Sequence, residues 1–203
     1  MTKEGSTAPW SGGRSRIADL CNSDLRLSSP PSQTDREAFV ARFGGVYEHS
    51  PWVAEAVWDA GLGSEHDTVA GLAEAMAAAV AGASRERQLA LIRAHPDLAG
   101  RAAIAGDLTG ASRAEQAGAG LGRCTPEEYR RFQELNAAYR RRFGFPFIIA
   151  VAGLSRQDIL PTFGARLGNT PEAEFAEALR QIDKIARLRL AAMAGTPLCH
   201  CRP

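Results

Sequence analysis

The chain has 203 residues, 45% hydrophobic and 23% charged, enough for one domain with a substantial core and too apolar for wholesale disorder. A formal net charge of +1 supplies no global field for nucleic acid or an anionic membrane, and no apolar run reaches the ~18 residues of a membrane span. Cys21, Cys124, Cys199 and Cys201 show no disulfide spacing, and "MTKEGSTAPWSGGRSR" lacks the apolar core of a secretory signal, so the cytoplasm is expected.

Residues 1–33, rich in Ser, Gly and Pro, read as a flexible tail with a short helix around "RIADLC", and residues 34–195 read as the folded domain. Thr34 and Glu37 fit a capping box, followed by an apolar stripe of Phe39, Val40 and Phe43. Pro51 stands near the start of a second helix with Val53, Val57 and Trp58 on its buried side. Leu72, Met76 and Val80 recur four apart up to Gly82, and Ser84 caps a segment carrying Leu89 and Ile92. Ser112 and Glu115 match another capping box.

The strongest helix signal is "TPEEYRRFQELNAAYRRRFG". Thr125 caps it, Pro126 takes the first position, Glu128 completes the box and Gly144 ends it. "SRQDILPTFGARLG" is a helix with a kink expected at Pro161, and the last long helix follows Thr170 and Pro171 through Phe175, Leu179, Ile182, Ala186 and Leu190. Alternation of period two is essentially absent. The expectation is an all-α, single-domain, irregular bundle of about seven to nine helices with a tail at 196–203.

His95 precedes Pro96, which disfavours the α region at His95 and suits the first position of a following helix. At such a helix start the dipole would lower the imidazole pKa and keep a neutral ring able to donate and accept a proton. The same pattern also fits a plain structural joint. Trp52 beside His49 suggests a packed corner, while His66 in "GSEHD" reads as solvated. Ser112 and Glu115 read either as a cap or as a helix start binding a ligand with carbonyls and N–H groups. "FGFPFIIAV" is too apolar for the surface, so its amides face other segments or a ligand unless it starts a buried helix.

"GAGLG" is not a dinucleotide loop: no strand precedes it, and Arg123 replaces the last glycine. Arg130, Arg131, Arg140, Arg141 and Arg142 form a basic face, either solvated or the surface of a DNA-binding regulator. A non-catalytic helical binding module would carry the same apolar stripes. Cys199, His200 and Cys201 are potential ligands without the spaced pairs of a structural zinc site, so no metal is expected.

Several stretches together resemble the 2-oxo-4-hydroxy-4-carboxy-5-ureidoimidazoline (OHCU) decarboxylases of purine breakdown. They are "FGGVYEHSPWVAEAVW", "RAHPDLAGRAAIAGDLTGASRAEQAGAGL", "FQELNAAYRRRFGFPFIIAV" and "ILPTFGARLGN" with "ALRQIDKIARLRL", in family order over roughly residues 34–190. The resemblance implies a cofactor-free all-helical lyase, commonly a homodimer, forming (S)-allantoin from OHCU without metal, nucleic acid or membrane. It places catalysis on His95 and Glu115. Substrate contacts fall on Pro96, Ser112, Arg113, Ala114, Glu115, Gln116, Phe147, Ile148, Ile149, Ala150 and Val151, with Arg166 as an anion contact. Ala152 and Cys124 depart from frequent family residues without removing a chemical role.

Overall fold

A computed structural model describes residues 25–100 and 108–195. The expected helix around "RIADLC" and the Cys199–His200–Cys201 cluster lie outside the described residues, as does most of the expected tail. Eight α-helices occur among the described residues. They are α1 (Arg36–Phe43), α2 (Trp52–Ala60), α3 (Val69–Ala81), α4 (Arg85–Arg93), α5 (Gly110–Gly118), α6 (Pro126–Phe143), α7 (Arg156–Arg166) and α8 (Pro171–Met193). The only β pairing described is an isolated bridge between Arg26 and Thr68, so the all-α expectation holds.

Most helix limits are set locally. Thr125 accepts from the Glu128 amide while Glu128 accepts from the Thr125 amide, the reciprocal box predicted for α6, and Gly144 ends the helix with φ 77°. Ser84 and Thr170 cap α4 and α8 as their sequences indicate. Two expected caps move. Thr34 turns its hydroxyl to the Pro31 carbonyl at 2.8 Å, closing a short 3-10 turn, so Asp35 caps α1 instead. Thr109, not Ser112, caps α5, which leaves the Ser112 and Glu115 side chains for longer-range partners. Pro161 lies inside α7, which continues to Arg166.

Residues 25–33 pack onto the domain. The Leu27 amide donates to the Asp67 carbonyl, Ser32 donates through both its amide and hydroxyl to the Asp67 carboxylate, and Leu27 is buried. His66 is not solvated as expected: it is half-buried and its Nδ1 accepts from the Gly63 amide at 2.9 Å. The corner before α2 is packed through Glu48 and Ser50, while His49 itself is exposed at φ 46°.

The long helix α8 buries Ala178, Ile182, Ala186 and Leu190 and packs against α3, α4 and α6. Beside it, Tyr139 is surrounded by Phe143, Phe145, Phe147 and Phe163, with the Phe147 and Phe163 rings stacked at 3.9 Å. The core also holds charge. Glu174 is fully buried and accepts from Tyr139, from Arg166 Nε at 2.9 Å and from Asn169 at 2.6 Å, while Arg166 also donates to the Ile148 carbonyl at 2.7 Å. Burial and the neighbouring carboxylate push the Tyr139 phenol pKa up. The Glu174 oxygens and the Arg166 nitrogens each have a protein partner, which offsets the cost of burying the pair.

Removing one member leaves the other charge buried and alone. Glu174→Ala is expected to lower unfolding free energy by about 3–5 kcal/mol in urea titrations. A loss below 1 kcal/mol on the same scale would show that the cluster is not needed.

Candidate active site

His95 follows the last turn of α4. Its backbone N–H donates to the Ile92 carbonyl, and its ring Nδ1 lies 3.0 Å from the Leu91 carbonyl oxygen. A carbonyl only accepts, so in the neutral ring Nδ1 carries the proton and Nε2 keeps its lone pair, and His95 is one of the residues lining the pocket. Burial pushes the imidazole down to about 4, against opposing effects of the Leu91 bond and the Glu48 charge.

The neutral ring matches expectation, but its cause does not. His95 stands at the carbonyl end of α4, where a helix dipole favours the cation, and dehydration overrides it. Nor does Pro96 lead straight into a helix. Residues 97–100 form a turn closed by the Gly100 amide on the Asp97 carbonyl.

That turn is held from four sides. Gln116 accepts from the Ala99 amide, Gln133 donates to the Ala99 carbonyl, Asn136 donates to the Leu98 carbonyl, and Arg140 pairs with Asp97 at 3.0 Å. Ala99 adopts φ 48°, a left-handed conformation that costs a non-glycine residue roughly 1–2 kcal/mol. The side-chain bonds from α5 and α6 offset that strain and fix the loop carrying His95.

Across the pocket, α8 contributes Arg189, which the sequence reading missed. Its Nε and Nη2 form a two-pronged pair with Glu115 at 2.7 and 3.0 Å. Nη1 donates to Glu48 at 3.0 Å and to the Val46 carbonyl at 3.2 Å, while Nη2 also reaches the Ser112 hydroxyl at 3.2 Å. Glu48, also missed, accepts from Thr109 at 2.7 Å and Ser112 at 2.9 Å. Burial alone would raise the Glu48 pKa, but the Thr109 bond, the Arg189 charge and the Ser112 bond together hold it below the ordinary value. Burial alone would likewise lower the Arg189 pKa, and Glu115 and Glu48 more than offset it. One signal was available: Arg189 shares the buried face of Ile182, Ile185 and Ala186, where a charge has to be paired.

His95, Pro96, Ser112, Glu115 and Gln116 all line one pocket that opens to solvent. Phe147, Ile148, Ile149 and Val151 line it as well. Residues 145–151 are all buried and non-helical, which excludes the buried helix start. Among the described residues, nothing accepts from the backbone N–H of Ile149 or Val151, which leaves both as donors for a ligand. The Ala150 amide is already taken by Gln181 at 2.9 Å.

Other expected contacts stand elsewhere. Ala150 and Ala114 face an adjoining apolar groove, and Arg113 donates to the Leu108 carbonyl. Arg166 is not among the residues lining the pocket: it pairs with Glu174 and donates to the Ile148 carbonyl, which steadies the 147–151 segment. Along the basic face of α6, Arg131 pairs with Glu134, Arg140 with Asp97, and Arg142 with the Asn169 carbonyl. Three of the five arginines of that face are thereby held by the protein itself.

Comparison with known proteins gives the family. A family model described as OHCU decarboxylase matches residues 32–191. A protein from Halalkalicoccus jeotgali named 2-oxo-4-hydroxy-4-carboxy-5-ureidoimidazoline decarboxylase is 44% identical over 78% of this chain and 86% of its own length. A protein of the same name from Haloferax volcanii is 44% identical over 79% of this chain and 91% of its own. A crystal structure described as (S)-allantoin synthase superposes with a TM-score of 0.63 at 35% identity, covering 80% of this chain and 52% of that one. A match that runs through the His95 loop, both carboxylate-bearing segments and α8 leaves one conclusion: this chain belongs to the OHCU decarboxylase family.

Proposed function

We propose that this chain decarboxylates OHCU to (S)-allantoin, with His95 as the group that moves the proton. The carrying observation is the fixed tautomer: Nδ1 is committed to the Leu91 carbonyl, so Nε2 is left as the base on a residue that lines the pocket. OHCU carries its carboxylate and hydroxyl on one ring carbon, beside the ring carbon bearing the ureido arm. Breaking the bond to the carboxylate releases CO2, and its electron pair moves between those two carbons and onto the adjacent imine nitrogen. That nitrogen takes a proton from water. His95 accepts the hydroxyl proton and passes it to the ureido-bearing carbon, so the hydroxyl carbon becomes the carbonyl. Delivery from one wall sets one configuration.

The remaining groups position the ring. The Ile149 and Val151 amides suit its carbonyl oxygens, and Glu115 suits ureido or ring N–H groups. The family resemblance also carries the expectation of a homodimer, and the sequence reading that of a cytoplasmic protein. The apolar groove beside the pocket, with Leu188, Ala192 and Met193 on α8, supports pairing of two copies. None of the described helices is long and apolar enough to cross a membrane.

With urate and the two upstream activities supplied, circular dichroism should show rapid optically active allantoin from the wild-type chain. His95→Asn should slow it about 100- to 10,000-fold, toward the racemic uncatalysed product. Retained fast, optically active product would remove His95 from the mechanism.

The same histidine predicts the pH response. The acid limb of kcat/KM should fall toward pH 4, with no inflection near the ordinary value of 6.5. Because the folded value lies below the unfolded one, the unfolded chain binds this proton first on acidification. The His95 contribution to stability is complete above pH 6.5 and is lost as pH falls toward 4. In His95→Asn that part of the stability–pH curve should flatten, as read by denaturant titration at each pH.

A further inference from the structure

All five N–H donors of Arg189 are spent on the protein: two on Glu115, and the others on Glu48, Val46 and Ser112. One guanidinium therefore faces two carboxylates, and His95 adds no positive charge. An anionic substrate entering this pocket meets like charge unless one carboxylate gives way.

The two carboxylates are not equally free to move. The Glu48 side chain is 1% exposed and is pinned by Thr109 and Ser112 as well as by Arg189. The Glu115 side chain is 29% exposed, and among the described residues Arg189 is its sole donor. Glu115 also lines both the pocket and the adjoining apolar groove, so its side chain has space on the far side.

We propose that Glu115 holds a carboxylate subsite on Arg189, and that the carboxylate of the substrate takes this place by exchange. The inference rests on the function proposed above. Exchange replaces one two-pronged pair by another, so the buried guanidinium never loses its counter-charge. It also frees Glu115 to accept the substrate's N–H groups. Once CO2 has left, the product has no carboxylate to keep the subsite, and Glu115 returns to Arg189. The subsite thus distinguishes the acid from its neutral product and resets itself each turnover.

Calorimetric titration with hydantoin-5-acetate, a stable ring carboxylate, and with hydantoin, its uncharged ring, tests the exchange. Glu115→Ala should bind the carboxylate about tenfold tighter than wild type or better, as expected when a charge-assisted competitor is removed. Hydantoin should show no such gain. Glu115→Gln preserves shape and one acceptor, so it should move the same way by a smaller factor, with melting temperatures checking that both variants fold. No gain for the carboxylate in either variant, or an equal gain for hydantoin, overturns the exchange. Wild-type turnover of OHCU is scored separately: its absence overturns the reaction above, whereas turnover without the affinity gain overturns the exchange alone.

Discussion

A buried guanidinium organises this molecule's working end. Arg189 projects from a helix whose neighbouring positions are apolar, and its charge is tolerable there because two carboxylates and a carbonyl surround it. Those partners come from α5 and from the corner before α2. One side chain therefore ties three distant parts of the chain into a single wall, and Tyr47 adds a second tie by donating to Asp183 of α8 at 2.9 Å. Ser112 and Thr109 complete the arrangement by spending their hydroxyls on Glu48.

The site is built where helices stop. The His95 turn and the 145–151 segment are both irregular, and each exposes backbone groups that a helix would have consumed. For the turn, α5 and α6 supply side-chain amides that pair with the Leu98 carbonyl and with both backbone groups of Ala99. Along the 145–151 wall the Arg166–Glu174 cluster holds the Ile148 carbonyl and Gln181 holds the Ala150 amide. Among the described residues the Ile149 and Val151 amides have no acceptor, and both residues line the pocket. An irregular backbone supported in this way offers fixed donors to a small polar ring without reorganising, which is where electrostatic catalysis gains most.

Charge and proton state are set by the same burial. Dehydration keeps His95 neutral although a carboxylate lies within electrostatic range, while the Thr109 and Ser112 hydrogen bonds and the Arg189 charge keep Glu48 ionised although little of it meets solvent. The difference is partner count: His95 has one carbonyl, and Glu48 has two hydroxyls and a guanidinium.

The sequence by itself determined the helices and the chemistry-bearing segments. Helical periodicity and most caps act within a few residues, so Thr125, Ser84 and Thr170 were legible, as were the His95 motif and the 147–151 run. Its errors were local competitions: Thr34 lost the cap to Asp35 because a 3-10 turn used its hydroxyl, and Thr109 displaced Ser112. Only the tertiary structure decided that Ser112 and Glu115 meet Arg189 and Glu48, that Arg166 serves the core, and that His95 is neutral through burial. These depend on partners brought together from positions far apart in the chain, and no short-range spacing records which charges will be sealed together away from water.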